Sequence, residues 1–155
     1  MSTWSDPAKW RAYVSEQGCP VCNQQPGQRP AGERDIAALS VSRLIADRIT
    51  CMKGQCCLVL KAHAVELHEL AEADAMDFMH DIRRVSRALQ AVTGAVKINY
   101  EIHGNTIPHL HLHLWPRQIG DRFEGAPIDW RAKDPAIYTD SEFESFIAAM
   151  QCELR

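Results

Sequence analysis

His109-Leu-His-Leu-His-Leu-Trp-Pro-Arg117 alternates imidazoles with leucines, and this stretch decides how the rest of the chain is read. Side chains on a strand take opposite faces in turn, so Leu110, Leu112 and Leu114 are expected to enter a core. His109, His111 and His113 then line the other face, about 6.6 Å apart, and face one cleft. With seven histidines in 155 residues, a His-x-His-x-His pattern is expected by chance roughly 0.01 times.

Working upstream, Val96-Lys-Ile-Asn-Tyr-Glu-Ile102 sets Val96, Ile98, Tyr100 and Ile102 against Lys97, Asn99 and Glu101, which predicts a half-buried strand. His103-Gly104-Asn105 supplies the turn that follows it. Cys56-Cys-Leu-Val-Leu60 is a compact apolar strand after the turn Lys53-Gly54, and residues 35–40 and 43–49 read as weaker strands. Apolar residues at Ala75, Phe78, Met79, Ile82, Val85, Leu89 and Val92 predict a helix from Asp74 to Val92 that ends at Gly94. A second helix is expected from Asp6 to Gln17, capped by Ser5, with Pro7 in its first turn and Gly18 as its stop. Thr139, with Glu142 three residues on, forms a capping box for a third, through about Glu153. Consecutive strands with segregated helices mean an α+β fold, an antiparallel sheet of about five strands with helices packed to one side. The whole chain, 1–155, is expected to be one domain: an N-terminal helix, cysteine pair and loop (1–34), a catalytic core (35–118), and a C-terminal loop and helix (119–155).

Composition narrows the function classes. Hydrophobic residues at 46% and charged residues at 24% exclude wholesale disorder. No apolar run exceeds five residues, far short of a membrane span. Met1-Ser-Thr-Trp-Ser-Asp-Pro7 has neither a basic n-region nor an apolar h-region, so a cytoplasmic location is expected. A net charge of −3 argues against a broad basic surface for nucleic acid but leaves room for a local phosphate pocket. The cysteines at 19, 22, 51, 56, 57 and 152 have the right number for three disulfides; in a cytosolic chain thiols or metal binding are favoured.

A row of imidazoles can bind a metal, act as acid and base, or provide a nucleophile. Just before the row, Gly104-Asn-Thr-Ile-Pro108 offers backbone amides, an amide side chain and a hydroxyl, with a glycine that lets phosphate approach the chain. Cys19-Pro-Val-Cys22 follows the stop at Gly18. Cys51, Cys56, Cys57 and Cys152 read as small apolar residues. His68 and His80 read as helix-surface residues, and His103 lies close to the phosphate turn.

His109-Leu-His-Leu-His-Leu-Trp115 resembles the histidine triad (HIT) superfamily motif, His-φ-His-φ-His-φ-φ with φ apolar, at every position, and Pro116-Arg117 looks like its common continuation. The likeness runs from the two-cysteine segment through Cys56–Leu60, Glu66-Leu-His-Glu-Leu70, the long helix and Lys97-Ile-Asn-Tyr100, about two-thirds of the chain. It implies a bacterial-type hydrolase in which His111 attacks the α-phosphorus of a nucleotide and water resolves the nucleotidyl-histidine. His113 and His109 would complete the catalytic set, His113 as a phosphate partner. Asn99, Asn105 and Thr106 would stabilise charge on the phosphoryl oxygens, and Asp47 would bind the ribose hydroxyls. The family usually carries a fourth histidine where this chain has Gln55, which can hydrogen-bond phosphate but not serve as an acid.

The segments around Cys19-x-x-Cys22, Lys61-Ala-His63 and Pro108-His109 resemble the branch of the superfamily that includes galactose-1-phosphate uridylyltransferase. That likeness implies a structural zinc on Cys19, Cys22, His63 and His109. The expected activity is hydrolysis of a dinucleoside polyphosphate or nucleoside phosphoramidate. Two alternatives stay open: a nucleotidyltransferase or phosphorylase passing the nucleotidyl group to phosphate or a sugar phosphate, and a catalytically weak nucleotide-binding protein. The expected partner is the nucleotide, with no nucleic acid or membrane, and a homodimer is possible, as for many relatives.

Overall fold

The computed structural model describes residues 5–25 and 28–155. The start of the N-terminal stretch, Met1–Trp4, and Pro26-Gly27 of the Gly/Pro-rich loop lie outside the described residues. Five strands, β1 (Glu33–Ala38), β2 (Ser42–Asp47), β3 (Cys56–Leu60), β4 (Lys97–Glu101) and β5 (His111–Arg117), form one antiparallel sheet in the order β1-β2-β3-β5-β4. The helices are α1 (Pro7–Tyr13), α2 (Glu72–Thr93) and α3 (Asp140–Glu153), so the expected α+β class and strand count hold. Among the described residues no helix is long and apolar enough to cross a membrane.

The leucine half of the alternation behaves as the pattern requires. Leu110, Leu112 and Leu114 sit in the main core with Phe78, Ile82, Val85 and Leu89 of α2 and Phe143, Ile147 and Met150 of α3. All of β3 is buried, because both of its faces are covered. Cys56, Leu58 and Leu60 join the helical side, whereas Cys57 and Val59 pack with Ile45 and Val21 on the other. A central strand covered twice reads as an unbroken apolar run rather than an alternation.

Asp81, on the buried face of α2, accepts hydrogen bonds from the backbone N–H of Ser40, Val41 and Ser42, each at 3.1 Å, and from the Ser42 hydroxyl at 2.7 Å. It locks the β1–β2 turn onto the helix, and hence the position of β2 in the sheet. At the other end of α2, Gly94 takes the left-handed conformation, φ 65°, that closes the helix.

Four readings are corrected. The first helix is Pro7–Tyr13, not Asp6–Gln17: Asp6 rather than Ser5 caps it, accepting from Ala8 N and Lys9 N. It ends before Gly18 because Ser15 Oγ donates to the Ala12 carbonyl and accepts from Gly18 N, a local competitor to the helix ladder. The first two strands start earlier than read, at Glu33 and Ser42. On β4 only Ile98 is buried; Tyr100 and the flanking Val96 and Ile102 are exposed at this edge of the sheet. Cys152 is exposed on α3, whereas Cys51, Cys56 and Cys57 are buried as expected, and all six cysteines are free thiols.

Candidate active site

The histidine row divides between two environments. His111 and His113 pair with Val59 and Cys57 across the ladder to β3, so their rings project from the face opposite the helical core. They line a cleft of about 870 Å³ whose walls include Asp47, Gln55, Asn105 and Thr106. His109 precedes the ladder and is 1% exposed. Its ring faces the N-terminal segment, so the expectation of three imidazoles in one cleft gives way to two.

The His109 end forms a compact cluster. The ligand atoms of Cys19, Cys22, His63 and His109 all lie within 4.8 Å of one another. Cys19 Sγ and Cys22 Sγ are 3.4 and 3.5 Å from His109 Nδ1, and Cys22 Sγ is 3.4 Å from His63 Nδ1. A sulfur and a nitrogen on one tetrahedral ion with bonds of 2.3 and 2.0–2.1 Å would be roughly 3.5 Å apart. Both imidazoles donate Nε2–H to a carbonyl, His63 to Val14 at 2.9 Å and His109 to Leu60 at 2.8 Å. A carbonyl only accepts, so each Nδ1 turns a lone pair towards the thiols, the tautomer a metal needs. Burial, and then the Cys19 thiol beside it, pushes Cys22 up to about 11. The donor set therefore fits a metal ion.

At the cleft end, His111 Nδ1 donates to the His109 carbonyl at 2.6 Å. That bond places the ring hydrogen on Nδ1 and leaves Nε2 with its lone pair. Burial pushes His111 below the ordinary histidine range, which keeps the ring neutral. His113 is pushed down to about 3, chiefly by burial and then by the charges of His111, His103 and Lys133.

Gln55 fixes the His113 tautomer. Its Nε2 donates to the Cys56 carbonyl at 3.1 Å, which sets the orientation of the amide, and approaches His113 Nδ1 at 3.3 Å. His113 Nδ1 is thus an acceptor, and its Nε2 carries the hydrogen. Gln55 Oε1 accepts from the Thr50 hydroxyl at 3.5 Å, so the amide is satisfied on both sides.

Asp47, at the end of β2, accepts from Ile49 N at 2.9 Å and meets Lys133 Nζ at 3.4 Å. Asn99 is half-buried beside Trp115, its partner in the β4–β5 ladder, and is not among the residues lining the cleft.

The lining also includes polar and aromatic side chains that sequence reasoning did not place in the site, among them Glu33, His103, Trp130, Arg131 and Lys133. Glu33 Oε1 is buried without a hydrogen bond, and burial raises its carboxyl above the usual range. Trp130 is 46% exposed beneath the Arg131 guanidinium, which sits 5.2 Å from the ring centroid. The last three residues arrive on the segment after β5. Arg117 anchors that segment through two hydrogen bonds to Asp121, at 2.7 and 2.9 Å, and one to the Phe123 carbonyl. Phe123 and Ile128 pack with Trp115, Cys51 and Met52 in a small second core. Gly104, φ 85°, turns the chain that brings His103, Asn105 and Thr106 to the opposite wall.

A histidine triad protein from Bradyrhizobium japonicum is 30% identical over 80% of this chain and 92% of its own, with a TM-score of 0.72. A Zn-bound histidine triad family protein from Mycobacterium smegmatis has the same fold, TM-score 0.63 at 21% identity, over 90% of this chain and 95% of its own. In sequence, the chain is 26% identical over 100 residues to an adenosine 5′-monophosphoramidase of Schizosaccharomyces pombe, spanning 64% of this chain and 74% of the relative. The HIT domain family model matches residues 40–120, which run from the β1–β2 turn through the whole histidine row. The chain belongs to the HIT family and, with its Cys19-x-x-Cys22 segment, carries a cluster suited to metal at the first histidine of the motif.

Proposed function

We propose that this protein is a nucleotide hydrolase that cleaves at the α-phosphorus through a nucleotidyl group carried on His111 Nε2. The observation that carries the reading is the His111 Nδ1–His109 carbonyl bond at 2.6 Å, which aims a neutral imidazole lone pair rather than an N–H at the reacting atom. His113 Nε2–H and the amide and hydroxyl groups of Asn105 and Thr106 are the donors for charge that develops on the phosphoryl oxygens. Asp47 is the acceptor for the ribose hydroxyls. Family membership and the phosphoramidase relative support a hydrolase. Nucleoside phosphoramidates and dinucleoside polyphosphates are the substrate classes we favour.

Zinc is the metal we assign to Cys19, Cys22, His63 and His109, since two thiolates and two imidazoles make a closed tetrahedral set that suits a structural rather than a catalytic ion. It would pin the segment after α1 to the start of β5 and hold the His109 carbonyl under His111. The exposed apolar side chains at the edge strand β4, Tyr100 with the flanking Val96 and Ile102, support self-association as a homodimer, which sedimentation would report.

The cysteine–histidine cluster also favours a second reading, transfer of the nucleotidyl group to phosphate or a sugar phosphate. Products formed from adenine, guanine and uridine dinucleotides and phosphoramidates, with and without added phosphate, separate the two. A nucleoside monophosphate released whether or not phosphate is added, with the remaining phosphate chain leaving on the second nucleoside of a dinucleotide, means hydrolysis; a nucleoside diphosphate formed from the phosphoramidate only when phosphate is added means transfer. Wild-type turnover by His111→Ala would overturn both.

A further inference from the structure

Expelling an amine or an alcohol from phosphorus requires a proton on the departing atom, and the catalytic strand has no group to give it. His111 keeps its ring hydrogen on the His109 carbonyl and spends its Nε2 lone pair on the attack. His113 is a neutral imidazole whose Nδ1 accepts from Gln55; its remaining N–H can hydrogen-bond an oxygen but is too weak an acid to be transferred. Gln55 has no titratable proton. Asp47 and Glu33 lie two and three strands from β5, roughly 10 and 14 Å across the sheet. The Lys133 ammonium is drawn towards Asp47, and burial pushes the Cys57 thiol up to about 12.

One further imidazole borders the cleft. His103 leaves the end of β4 at the Gly104 turn, its ring centroid 6.0 Å from that of His113. Its Nε2 lies 3.2 Å from Glu101 Oε2, and the same oxygen accepts Trp115 Nε1–H at 2.9 Å. Glu101 is thereby fixed against the sheet and in turn holds one nitrogen of His103, leaving Nδ1 for a ligand. The side chain is 48% exposed, open both to a leaving group and to the water that must reach it in the second step.

We propose that His103, oriented by Glu101, is the acid that protonates the leaving group, an assignment that rests on the nucleotidyl-histidine reading above. In the first step the His111 Nε2 lone pair forms the N–P bond as the bond from phosphorus to the leaving atom breaks. The electron pair departs with that atom, which takes the proton from His103 Nδ1. In the second step water forms the new O–P bond and returns a proton to the now neutral His103. The P–N bond breaks with its electron pair returning to His111. The sum is hydrolysis, with both histidines restored.

The test compares two adenosine 5′-phosphate derivatives that differ only in leaving group, an alkylamine phosphoramidate and a p-nitrophenyl ester, whose phenolate departs without a proton. Single-turnover release of the leaving group reports the first step alone. His103→Ala and His103→Gln should slow release of the amine by roughly 100-fold or more, with a loss on the ester at least tenfold smaller. Glu101→Gln should show the same bias at lower amplitude. Both His103 variants should keep the wild-type melting temperature and metal content, and either one suffices if the other fails to fold. Equal losses on the two substrates, or no loss on either, while His111→Ala is inactive on both, would remove the role of His103 and leave that of His111. If wild type releases neither group, or His111→Ala matches it, the nucleotidyl-histidine reading falls and the His103 assignment with it.

Discussion

His109 and His113 are four residues apart on one segment, yet they occupy opposite kinds of chemical environment. His109 is sealed, its nitrogens divided between a carbonyl and two thiols. His113 opens to a cleft and is steadied by an amide that cannot ionise. The difference arises where the β5 ladder starts. From His111 onward each residue is paired with β3 or β4 and alternates strictly. Before it, His109 N bonds to Ile107 O and Leu110 N to Ala64 O, so the chain follows a loop and the His109 ring turns towards residues 90 positions away. Period-two alternation assigns a face only while a ladder enforces it, and the residue just outside is free to serve another part of the molecule.

The two ends meet most sharply at His111, whose tautomer is set by the His109 carbonyl and whose ring lines the cleft. His111→Ala should lower turnover by 10³-fold or more, about 4 kcal/mol of transition-state stabilisation, as expected for loss of a nucleophile. Metal content and melting temperature should stay at wild-type values, because the Cys19–His109 cluster does not include that side chain. A matching loss of metal would show that the two ends are one site.

Cys22→Ser strikes the other end. Bound zinc should fall from one per chain to none, and the melting temperature should drop by about 5–10 °C, because a closed site contributes its binding energy to folding. Turnover by the fraction still folded should fall by less than the His111→Ala loss, since the cleft residues remain in place. Unchanged metal content and melting temperature would dismiss the site.

A substitution on the leucine face separates the strand as scaffold from the strand as chemistry. Leu112 is 5% exposed within the main core, and Leu112→Ala should cost about 3 kcal/mol in urea unfolding. Turnover per folded molecule should change little. That face was fully legible in the sequence, and so were β3, the end of α2 at Gly94 and the Thr139–Glu142 capping box. Each is set by local chemistry that tertiary packing then confirms.

The cleft walls were less legible because three of them arrive by long-range placement. Glu33 opposes Asp47 through the β1–β2 register, and no local pattern distinguishes it from a surface carboxylate. His103 belongs to a turn whose direction depends on Gly104, though its place next to the Gly-Asn-Thr segment was a usable signal. Trp130, Arg131 and Lys133 lie in a stretch without period, and their position depends on Phe123 and Ile128 finding Trp115. The exposed apolar residues at β4 misled for a related reason. Alternation marks the apolar face of a strand but does not say how far along that face the helices cover it: Ile98 is buried while Val96, Tyr100 and Ile102, in phase with it, are exposed.

The anchor of that last wall is the smallest effect and the finest test of the contrast. Arg117 and Asp121 are each 12% exposed, and the paired guanidinium holds the Asp121 carboxyl at about 2 instead of 3.8. A carboxyl depressed in the folded state stabilises it above its unfolded value, and the contribution is lost as pH falls from about 4 towards 2. After allowance for solvent screening it is worth about 1 kcal/mol at neutral pH. Asp121→Asn should therefore lower the melting temperature at pH 7 by about 2–4 °C. It should also flatten the acid limb of stability between pH 4 and 2, and bring the variant and wild type together at the low end. If Trp130 and Lys133 depend on this anchor, the same variant should raise KM for nucleotide more than it lowers kcat, with zinc retained. An equal shift in stability at pH 2 and pH 7 would mean that the pair contributes packing rather than charge, and that the wall stands on Phe123 and Ile128 alone.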